Sequence, residues 1–489
     1  MSLSASLSTA NSSLFVTGER TSIVSRNIAN ADRPFYSKKS VSVVTIPGSG
    51  VKSSQVIRAE QPVLFRKVLT SSAAAATQGA RLDALNFLNG TINDVELGSS
   101  PSALMNSFSN ALQTFSAQPH SKLAAEAAVR SARDLADGLN NAASIIQQVR
   151  NESETGIQAS VNRVNSLLAD FKTVNDTIVK GTIMGSDVTD YLDQRDEILA
   201  NLSNEIGVRT VTRDNNDMAI YTDGGVTLFD RSPRNVEFQR TLNLTPGVPG
   251  NAVVIDGVQV TGANATMPLQ SGRLLGLVEA RDDISLTYQA QLDEMARVLI
   301  TAFAESDQSG GGGPDRAGLF TWPGSPAVPP AGTLISGLAG TIKVNSTVDP
   351  DLGGDAVLLR DGGINGAAYR YNSTPGDASF TDRIDELIGN MSETYAFDPA
   401  AKLAAGASIT GFSGSSAAWL QEARKVADDA YAYQSTLLQR SYESFSNLTG
   451  VNLEEELALM LDLERSFQTS SKLVGVIDTM FTSLLAAIR

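Results

Sequence analysis

The sequence contains no cysteine, one histidine and two tryptophans among 489 residues. Without cysteine, the chain can form neither disulfide bonds nor thiolate metal sites. A Ser/His/Asp triad or a histidine metal site would depend on His120 alone, which directly follows Pro119. Trp322 and Trp419 are too few and too isolated to form a stacking platform for sugars or nucleic acids. We therefore predict no catalytic, cofactor or metal site.

Short catalytic and ligand-binding motifs are missing as well. The glycines at 310–313 are not followed by the Lys-Ser or Lys-Thr of a phosphate loop, and no Gly-x-Ser-x-Gly elbow occurs. The acidic stretches 214–217 and 349–351 lack the glycine and the bidentate glutamate of a calcium-binding loop. The acidic run 454–456 fits the N-terminus of a helix. An enzyme that depends on His120 stays open as an alternative, and loss of activity in His120→Ala would support it.

Long apolar runs are absent too. No stretch approaches the roughly 18 apolar residues of a membrane-spanning helix, and the N-terminus lacks a signal-peptide core, so we expect neither a Sec signal nor a membrane span. The formal net charge is −15, yet residues 1–61 carry seven basic and three acidic side chains, a net +4 that leaves −19 for the remainder. An acidic body argues against nucleic acid as a partner, because phosphate binding needs a basic surface.

Apolar residues spaced alternately three and four apart form a stripe near each end of the chain. This rhythm is typical of a coiled-coil seam, although it would also suit the first and last helices of a globular domain. Pro34 ends the first helix at about the residue where its stripe ends. We call the two stripes the assembly seam, and its members are Leu3, Leu7, Leu14, Val24, Ile28, Met460, Leu463, Phe467, Val474, Ile477, Phe481, Leu484 and Ile488. We predict that the terminal helices form an α-helical coiled coil.

The N-terminal helix has Ser, Thr and Asn on its outer face and few charges. It lacks the Glu/Lys pairs that keep an isolated helix soluble, so this face suits packing against copies of the chain. An isolated helix of this length is only marginally stable in water. We therefore expect both ends to be unstructured in the free chain and to become ordered on packing.

Between the ends, the periodicity predicts a mainly α protein with inserted β structure, arranged as an elongated multidomain rod. Helical patterns cover most of 62–205, and the longest block, 122–179, has a candidate break at Gly156 or in the stretch 151–155. The predicted parts are a terminal coiled-coil axial core (1–40 with 450–489), a helical-bundle domain (41–207 with 269–307 and 380–449), an outer β insert (208–268) and a Gly/Pro-rich loop insert with weak β structure (308–379).

The β insert begins where the apolar period changes to two, at Val208. Asp256-Gly257 between short apolar runs predicts a hairpin with a type I′ turn. Because helix resumes at about Gly272, we expect 208–268 to project as a compact module that the axis does not need. The loop insert is expected to be a loop or linker. Weak strands are predicted in it near 341–344, 356–360 and 367–371.

Three motifs resemble a known family. The first is Asn27, Ile28, Ala29, Asn30 and Ala31 followed by Tyr36, which resembles the N-terminal signature of the axial proteins of the bacterial flagellum, its rod, hook and hook-associated proteins. The second is the run 450–456 continuing through Phe467 and Gln468, which resembles the matching end of the hook-associated protein 1 family of hook–filament junction proteins. The third is Leu192, Asp193, Gln194, Arg195 and Asp196, which resembles a recurrent run of the same family. Arg33 and Phe35 stand where the general pattern has Thr and Gly.

This resemblance implies a structural part of the flagellum that connects the hook to the filament by self-assembly of its terminal helices. It implies export through the flagellar type III apparatus without a cleaved signal, and an extracellular place at the hook–filament junction. The implied partners are copies of the chain, the hook protein, a second junction protein (hook-associated protein 3) and an export chaperone at the C-terminal helix, with no nucleic acid and no membrane.

Two alternatives to this function remain besides an enzyme. A rod or hook protein would share the terminal motifs, but those proteins have less helix than 62–205 provides. A secreted coiled-coil adhesin or effector would share the helical composition, but it would not need a matching seam at both ends.

Overall fold

The computed structural model describes residues 3–47, 50–93, 98–373 and 376–488. Helices dominate these residues, so the predicted mainly α class is confirmed. The helices are α1 (Leu3–Ala29), α2 (Pro62–Ile92), α3 (Pro101–Ala117), α4 (Lys122–Met184), α5 (Thr189–Glu205), α6 (Arg273–Glu279), α7 (Ser285–Ala302), α8 (Leu358–Asp361), α9 (Asp382–Asn390), α10 (Ile409–Thr449) and α11 (Leu453–Ile488). Within the described ranges, no helix has the length and apolar character needed to cross a membrane.

Short antiparallel sheets interrupt the helices. The strands are β1 (Lys39–Ile46), β2 (Gly50–Arg58), β3 (Val208–Thr212), β4 (Met218–Thr222), β5 (Thr227–Asp230), β6 (Ser232–Pro233), β7 (Val236–Glu237), β8 (Val254–Ile255), β9 (Val258–Gln259), β10 (Phe320–Thr321), β11 (Lys343–Val344), β12 (Tyr395–Ala396) and β13 (Gly406–Ala407). β1 and β2 form a hairpin, β3–β6 a four-stranded sheet and β7–β9 a three-stranded sheet. Between β8 and β9, Asp256 and Gly257 have φ angles of 48° and 80°, as the predicted type I′ turn requires.

The longest helix, α4, is continuous over 63 residues. Ser121 caps its first turn by accepting a hydrogen bond from Ala124 N at 3.2 Å, and Gly185 follows its last turn in the left-handed conformation. The predicted break at Gly156 is wrong. A Cβ at this position would lie 3.0 Å from Cδ1 of Leu277 on α6. Gly156 therefore permits a close approach of two helices instead of ending one.

Buried apolar side chains form two clusters along α4. One surrounds its N-terminal half with α3 and α7, and the other surrounds its C-terminal half with α5 and strands of β3–β9. In the second cluster, Phe171 of α4 meets Phe229 of β5 edge to face, with ring centroids 4.9 Å apart. The prediction that 208–268 projects as a separate module is therefore wrong. Its strands share one core with the helices, and their removal would expose the apolar faces of α4 and α5.

The loop insert, 308–379, is a packed part of the first cluster and not a linker. Its buried apolar side chains include Leu319, Phe320, Leu338, Ile342, Val348 and Leu359. Of the weak strands predicted here, 341–344 contains β11, whereas 356–360 overlaps α8 and 367–371 begins with a 3₁₀ turn. Those two strand predictions are wrong, because a short apolar run does not distinguish a strand from a buried helical turn.

Helix α7 holds the loops around it through side chains that are acidic yet buried. Asp293 accepts hydrogen bonds from Gly337 N and Ala339 N, both at 2.8 Å. Glu294 accepts a hydrogen bond from Asp398 N at 2.9 Å. Buried backbone N–H groups need acceptors, so these carboxyl groups determine where the loops pass over α7.

The hairpin β1–β2 lies along α1. Ser12 Oγ accepts a hydrogen bond from Val51 N at 3.2 Å, and a Cβ at Gly50 would lie 3.0 Å from the Thr9 Cα. The assignment of residues 41–61 to the helical bundle is therefore wrong. α1 also packs along α11. We call α1, the hairpin and α11 the terminal unit, and α2–α10 with their strands the body.

Protection from hydrogen exchange should be graded along the terminal helices. Val24 is buried, whereas nearer the start of α1 Ser12 binds the hairpin at Val51 and Ser13 meets Ser470 of α11. The expectation of unstructured ends in the free chain is therefore limited to their outer parts: we expect slow exchange over 24–29 and 456–463 and fast exchange over 3–12 and 478–488, because local opening is easiest far from the body. Exchange followed by mass spectrometry measures this. Equal protection along the whole of both helices would contradict the gradient.

Burial raises the pKa of Asp293 from its ordinary 3.8 to about 6, although hydrogen bonds from Ala339 N, Gly337 N and Gln289 oppose the shift. The folded chain therefore binds this proton more tightly than the unfolded chain. The resulting stabilisation is fully present below pH 3.8 and is lost as the pH rises to about 6. The difference between the two pKa values corresponds to about 3 kcal/mol.

We expect the free energy of unfolding of Asp293→Asn, relative to the unsubstituted chain, to rise by about 3 kcal/mol between about pH 4 and pH 7. Urea unfolding of both chains across this range measures the difference. Asp170→Asn, at an exposed position on α4, controls for the loss of one charge. A difference between Asp293→Asn and the unsubstituted chain that does not change with pH would show that Asp293 keeps its ordinary pKa.

Candidate assembly site and its joint with the body

The N-terminal motif lies in a buried polar network at the end of α1. The Asn27 amide donates to Lys39 O at 2.8 Å and to Glu456 Oε2 at 3.0 Å. Its Oδ1 accepts from Lys39 N and from the Tyr36 hydroxyl, both at 3.1 Å. Burial raises the pKa of Tyr36, which keeps the hydroxyl a neutral donor. One amide side chain thus joins α1 to the hairpin and to α11.

Phe35 forms the turn that follows this network. Its φ of 61° lies in the left-handed region that favours glycine, which costs another residue about 1 kcal/mol. The ring packs against Phe65, Tyr442 and Phe445, with centroid distances of 6.2, 5.5 and 6.5 Å. Such aromatic pairs contribute about 0.5–1.5 kcal/mol each, so the cluster offsets the strain. The turn that the family pattern makes with glycine is retained here, with the phenylalanine ring as an anchor on α2 and α10.

A row of carboxylates on α5 and the turn before it receives the basic side chains of the terminal unit. We call Asp187, Asp190, Asp193, Asp196 and Glu197 the acidic ladder, because they recur at a spacing that places them along one side of a helix. The ion pairs are Arg26 with Asp187 (3.1 Å) and Asp190 (3.0 Å), Lys39 with Asp190 and with Asp193 (2.8 Å), Arg58 with Asp193 (2.7 Å) and Asp196 (2.5 Å), and Arg33 with Glu197 (3.0 Å). The positive charge of residues 1–61 therefore matches an acidic face of the body.

The middle of the acidic ladder is closed to solvent. The side chains of Lys39 and Asp193 are 0% and 4% exposed, whereas those of Arg33 and Glu197 are 45% and 42% exposed. Removing one partner of a buried pair costs about 3–5 kcal/mol, while an exposed pair contributes about 0–1 kcal/mol. The buried pairs therefore define the geometry of the joint, and the exposed pair adds little to its stability.

The motif on α5 supplies the buried carboxylates in the middle of the acidic ladder. Asp193 and Asp196 bind the terminal unit, and Leu192 is buried beside them. Arg195 instead braces the body, donating to Asn175 Oδ1 at 3.2 Å and to Asn216 O at 2.5 Å. Gln194 is half-buried and lies outside the ion pairs described above. The structure thus brings together two family motifs that are far apart in the sequence.

The other motif residues have smaller roles in the joint. Ile28 is half-buried, Ala29 is the last residue of α1, and Asn30 donates to Arg26 O at 2.9 Å. Lys39 and Arg58 complete the joint together with Glu456 of the C-terminal motif, and no sequence motif marks these two basic residues. The signal that could have found them is the basic excess of residues 1–61 opposite acids spaced three apart on α5.

The structure pairs the two stripes of the assembly seam along α1 and α11. Leu463 and Ile477 are buried, and the Ser13 and Ser470 hydroxyls lie 3.1 Å apart across the pair. The seam members that are buried or half-buried are Leu3, Leu7, Leu14, Val24, Ile28, Met460, Leu463, Val474, Ile477 and Phe481. Phe467 and Leu484 are 49% and 51% exposed, so α1 does not cover them in the single chain, and their place in an assembly seam stays a prediction. The Ile488 side chain lies outside the part that the structure describes.

α11 has a second apolar face that α1 leaves open. Leu473, Val476, Met480 and Leu484 recur three or four residues apart and are 48–57% exposed. The last three line an open, mostly apolar groove together with Leu3 of α1. A helix that is apolar on two faces needs more than one partner to cover it.

His120 is exposed in the turn between α3 and α4. Across the described ranges, no group of three or more His, Asp or Glu side chains could hold a metal ion.

Comparisons with known proteins agree with this geometry. The model of the "Flagellar hook-associated protein FlgK helical domain" matches residues 87–318, and that of the "Flagellar basal body rod FlgEFG protein C-terminal" matches residues 443–487. The chain is 22% identical to flagellar hook-associated protein 1 of Bacillus subtilis, over 98% of this chain and 97% of that protein. The chain is thus similar to the flagellar hook-associated protein 1 family along nearly its whole length. The resemblance read from its three motifs is thereby confirmed.

Further relatives support the same assignment. Hook-associated protein 1 of Escherichia coli is 22% identical over 54% of this chain and 48% of that protein. The solved hook junction protein FlgK of Burkholderia pseudomallei has a TM-score of 0.55 at 13% identity, covering 78% of this chain and 99% of that one, and thus shows a shared fold. The hook-associated protein 1 family consists of structural flagellar proteins. The C-terminal model shared with rod proteins matches α11. The match of the FlgK helical-domain model to residues 87–318 distinguishes this chain from those rod proteins.

The joint predicts a contrast between two substitutions on the acidic ladder. Asp193→Ala leaves the buried Lys39 and Arg58 charges short of a partner and should cost about 3–5 kcal/mol in docking the terminal unit. The matched control, Glu197→Ala, removes an exposed pair with Arg33 and should cost less than about 1 kcal/mol. Hydrogen exchange of residues 24–29 measures both, and it should quicken only in Asp193→Ala. Equal effects of the two variants would show that the buried pairs do not hold the joint.

Proposed function

We propose that this hook-associated protein joins the flagellar hook to the filament side as a ring of subunits that assemble through their terminal helices. The observation that carries the proposal is the open second face of α11, with Leu473, Val476 and Met480 about half exposed beside a seam that α1 already covers. Packing against the terminal helices of neighbouring subunits would remove this face from water, at about 25 cal/mol per Å² of apolar surface. A structural role without catalysis or cofactor is what this site supports.

The proposed neighbours are copies of the chain, the hook protein and the second junction protein, hook-associated protein 3. The proposed location is outside the cell at the hook–filament junction, reached through the flagellar export apparatus. Before assembly, an export chaperone would bind the C-terminal helix, because a helix with an exposed apolar stripe fits a hydrophobic groove. The exposed face of α11 supports this place for the chaperone.

The substitution Met480→Glu tests the assembly role of α11. Met480→Glu puts a charge into the open face, and we expect cells that make only this chain to grow hooks without filaments, because an unpaired buried carboxylate opposes packing. Thr482→Glu is the matched control, since Thr482 is exposed on the opposite side of the same helix. Electron microscopy and immunoblots of isolated hooks measure filament growth and bound subunits. Equal assembly of both variants would place the interface elsewhere.

A further inference from the structure

The half of the terminal unit far from the body is almost free of charge. Residues 3–18 contain no charged side chain, residues 40–57 contain only Lys52, and residues 466–488 contain two charges. By comparison, 19% of all residues in the chain are charged. The net charge of −15 makes copies of the chain repel one another. An uncharged surface is therefore where two copies can meet with the least electrostatic opposition.

Within this surface the hairpin β1–β2 presents an apolar face to solvent. The register pairs Ser40 with Ile57, Val44 with Lys52 and Ile46 with Gly50. Because side chains alternate along a strand, Val44, Ile46 and Ile57 lie on one side of the ribbon. They are 52%, 41% and 44% exposed. On this side Val44 and Ile46 form an apolar patch near the hairpin tip, and the polar pair of Ser42 and Gln55 separates it from Ile57.

The hairpin lacks the usual protection of an exposed ribbon. Within the described residues it has two strands only, an arrangement that is marginally stable by itself. Soluble proteins guard such edges with charges, prolines or a covering element, and between residues 40 and 57 Lys52 is the single charge. On α1, Phe15 is 66% exposed, one turn from Ser12, which binds the hairpin backbone. α1 therefore exposes a large apolar side chain close in sequence to the residue that binds the hairpin backbone.

We propose that this hairpin face, with Val44 and Ile46 near the tip and Ile57 further along, is a second contact surface whose occupant is the terminal unit of another copy of this chain. The inference rests on the proposed function, and it adds a contact that the assembly seam does not contain. A copy is the fitting occupant because the nearly uncharged hairpin and the outer half of α11, with two charges of opposite sign, belong to the same unit. The two patches are both apolar and carry few charges, so the hairpin of one copy can pack against α11 of the next. Such a head-to-tail contact between two different patches can repeat around a ring.

Photo-cross-linking on isolated hooks tests the surface and its occupant. Benzoylphenylalanine replaces Val44, Met480 or Val211 in separate strains, and Val211 is the control because it is 51% exposed on the body strand β3. We expect a product of twice the chain mass from Val44 and none from Val211. A Val44 product that contains a different axial protein overturns the choice of occupant. Products from Met480 without any from Val44 overturn the hairpin surface but leave the proposed function intact.

The same strains separate failure of the inference from failure of the function. If the chain is missing from hooks and Met480 gives no product, the proposed function fails, and the hairpin contact fails with it. If the chain is on hooks and Val44 gives the product of two copies, both stand.

A charge introduced on the hairpin provides an independent measurement. We expect Val44→Glu to lower the amount of chain on isolated hooks about tenfold or more, because burial of an unpaired carboxylate is strongly unfavourable. Val211→Glu is the matched control, with the same change at a similar exposure. Circular dichroism of the purified chains should be the same for both, since each site is open in the free protein. Equal amounts of both variants on hooks would overturn the proposal.

Discussion

The buried ion pairs of Lys39 and Arg58 with Asp193 and Asp196 are the constraint on which the position of the terminal unit depends. α1 packs chiefly on α11 and the hairpin, so its relation to the body is decided at this joint. Charges removed from water need partners in good geometry, so these pairs specify the orientation of the terminal unit on the body. They add little net stability, because the cost of desolvation offsets most of the attraction. The aromatic cluster around Phe35 supplies apolar contact on α2 and α10.

The body is organised around α4, whose 63 residues run through both hydrophobic clusters. The inserts are built into these clusters, with β5 against α4 and the loop insert against α7. Buried acids such as Asp293 and Glu294 give the loop backbone its hydrogen-bond acceptors. Irregular chain can be packed this tightly only where each buried N–H group finds an acceptor. The body is therefore one piece, and its β strands are not an accessory to the helices.

Charge divides the terminal unit into two regions with different partners. Near the body, its basic side chains are matched to the acidic ladder of the same chain. Away from the body, its surface carries few charges and exposes apolar side chains on α11 and on the hairpin. Ion pairs suit a contact within one chain, where the partners are always close together. Uncharged apolar surface suits contact between copies that each carry a net charge of −15, because it adds no local repulsion to their association.

The sequence by itself determined the features that depend on neighbours along the chain. The stripes of α1 and α11 follow from periodicity, and the turn at Asp256-Gly257 from local backbone preference. The family motifs at Asn27 and Leu192–Asp196 could likewise be recognised from adjacent residues alone. Only the tertiary structure decided what these features contact. A residue pattern does not say which distant partner covers it, so the pairing of Lys39 with Asp193, the merging of 208–268 with the helical core and the exposure of Phe467 all depended on long-range packing. The left-handed Phe35 makes the same point, because its strain is tolerated only where Tyr442 and Phe445, far along the chain, meet its ring.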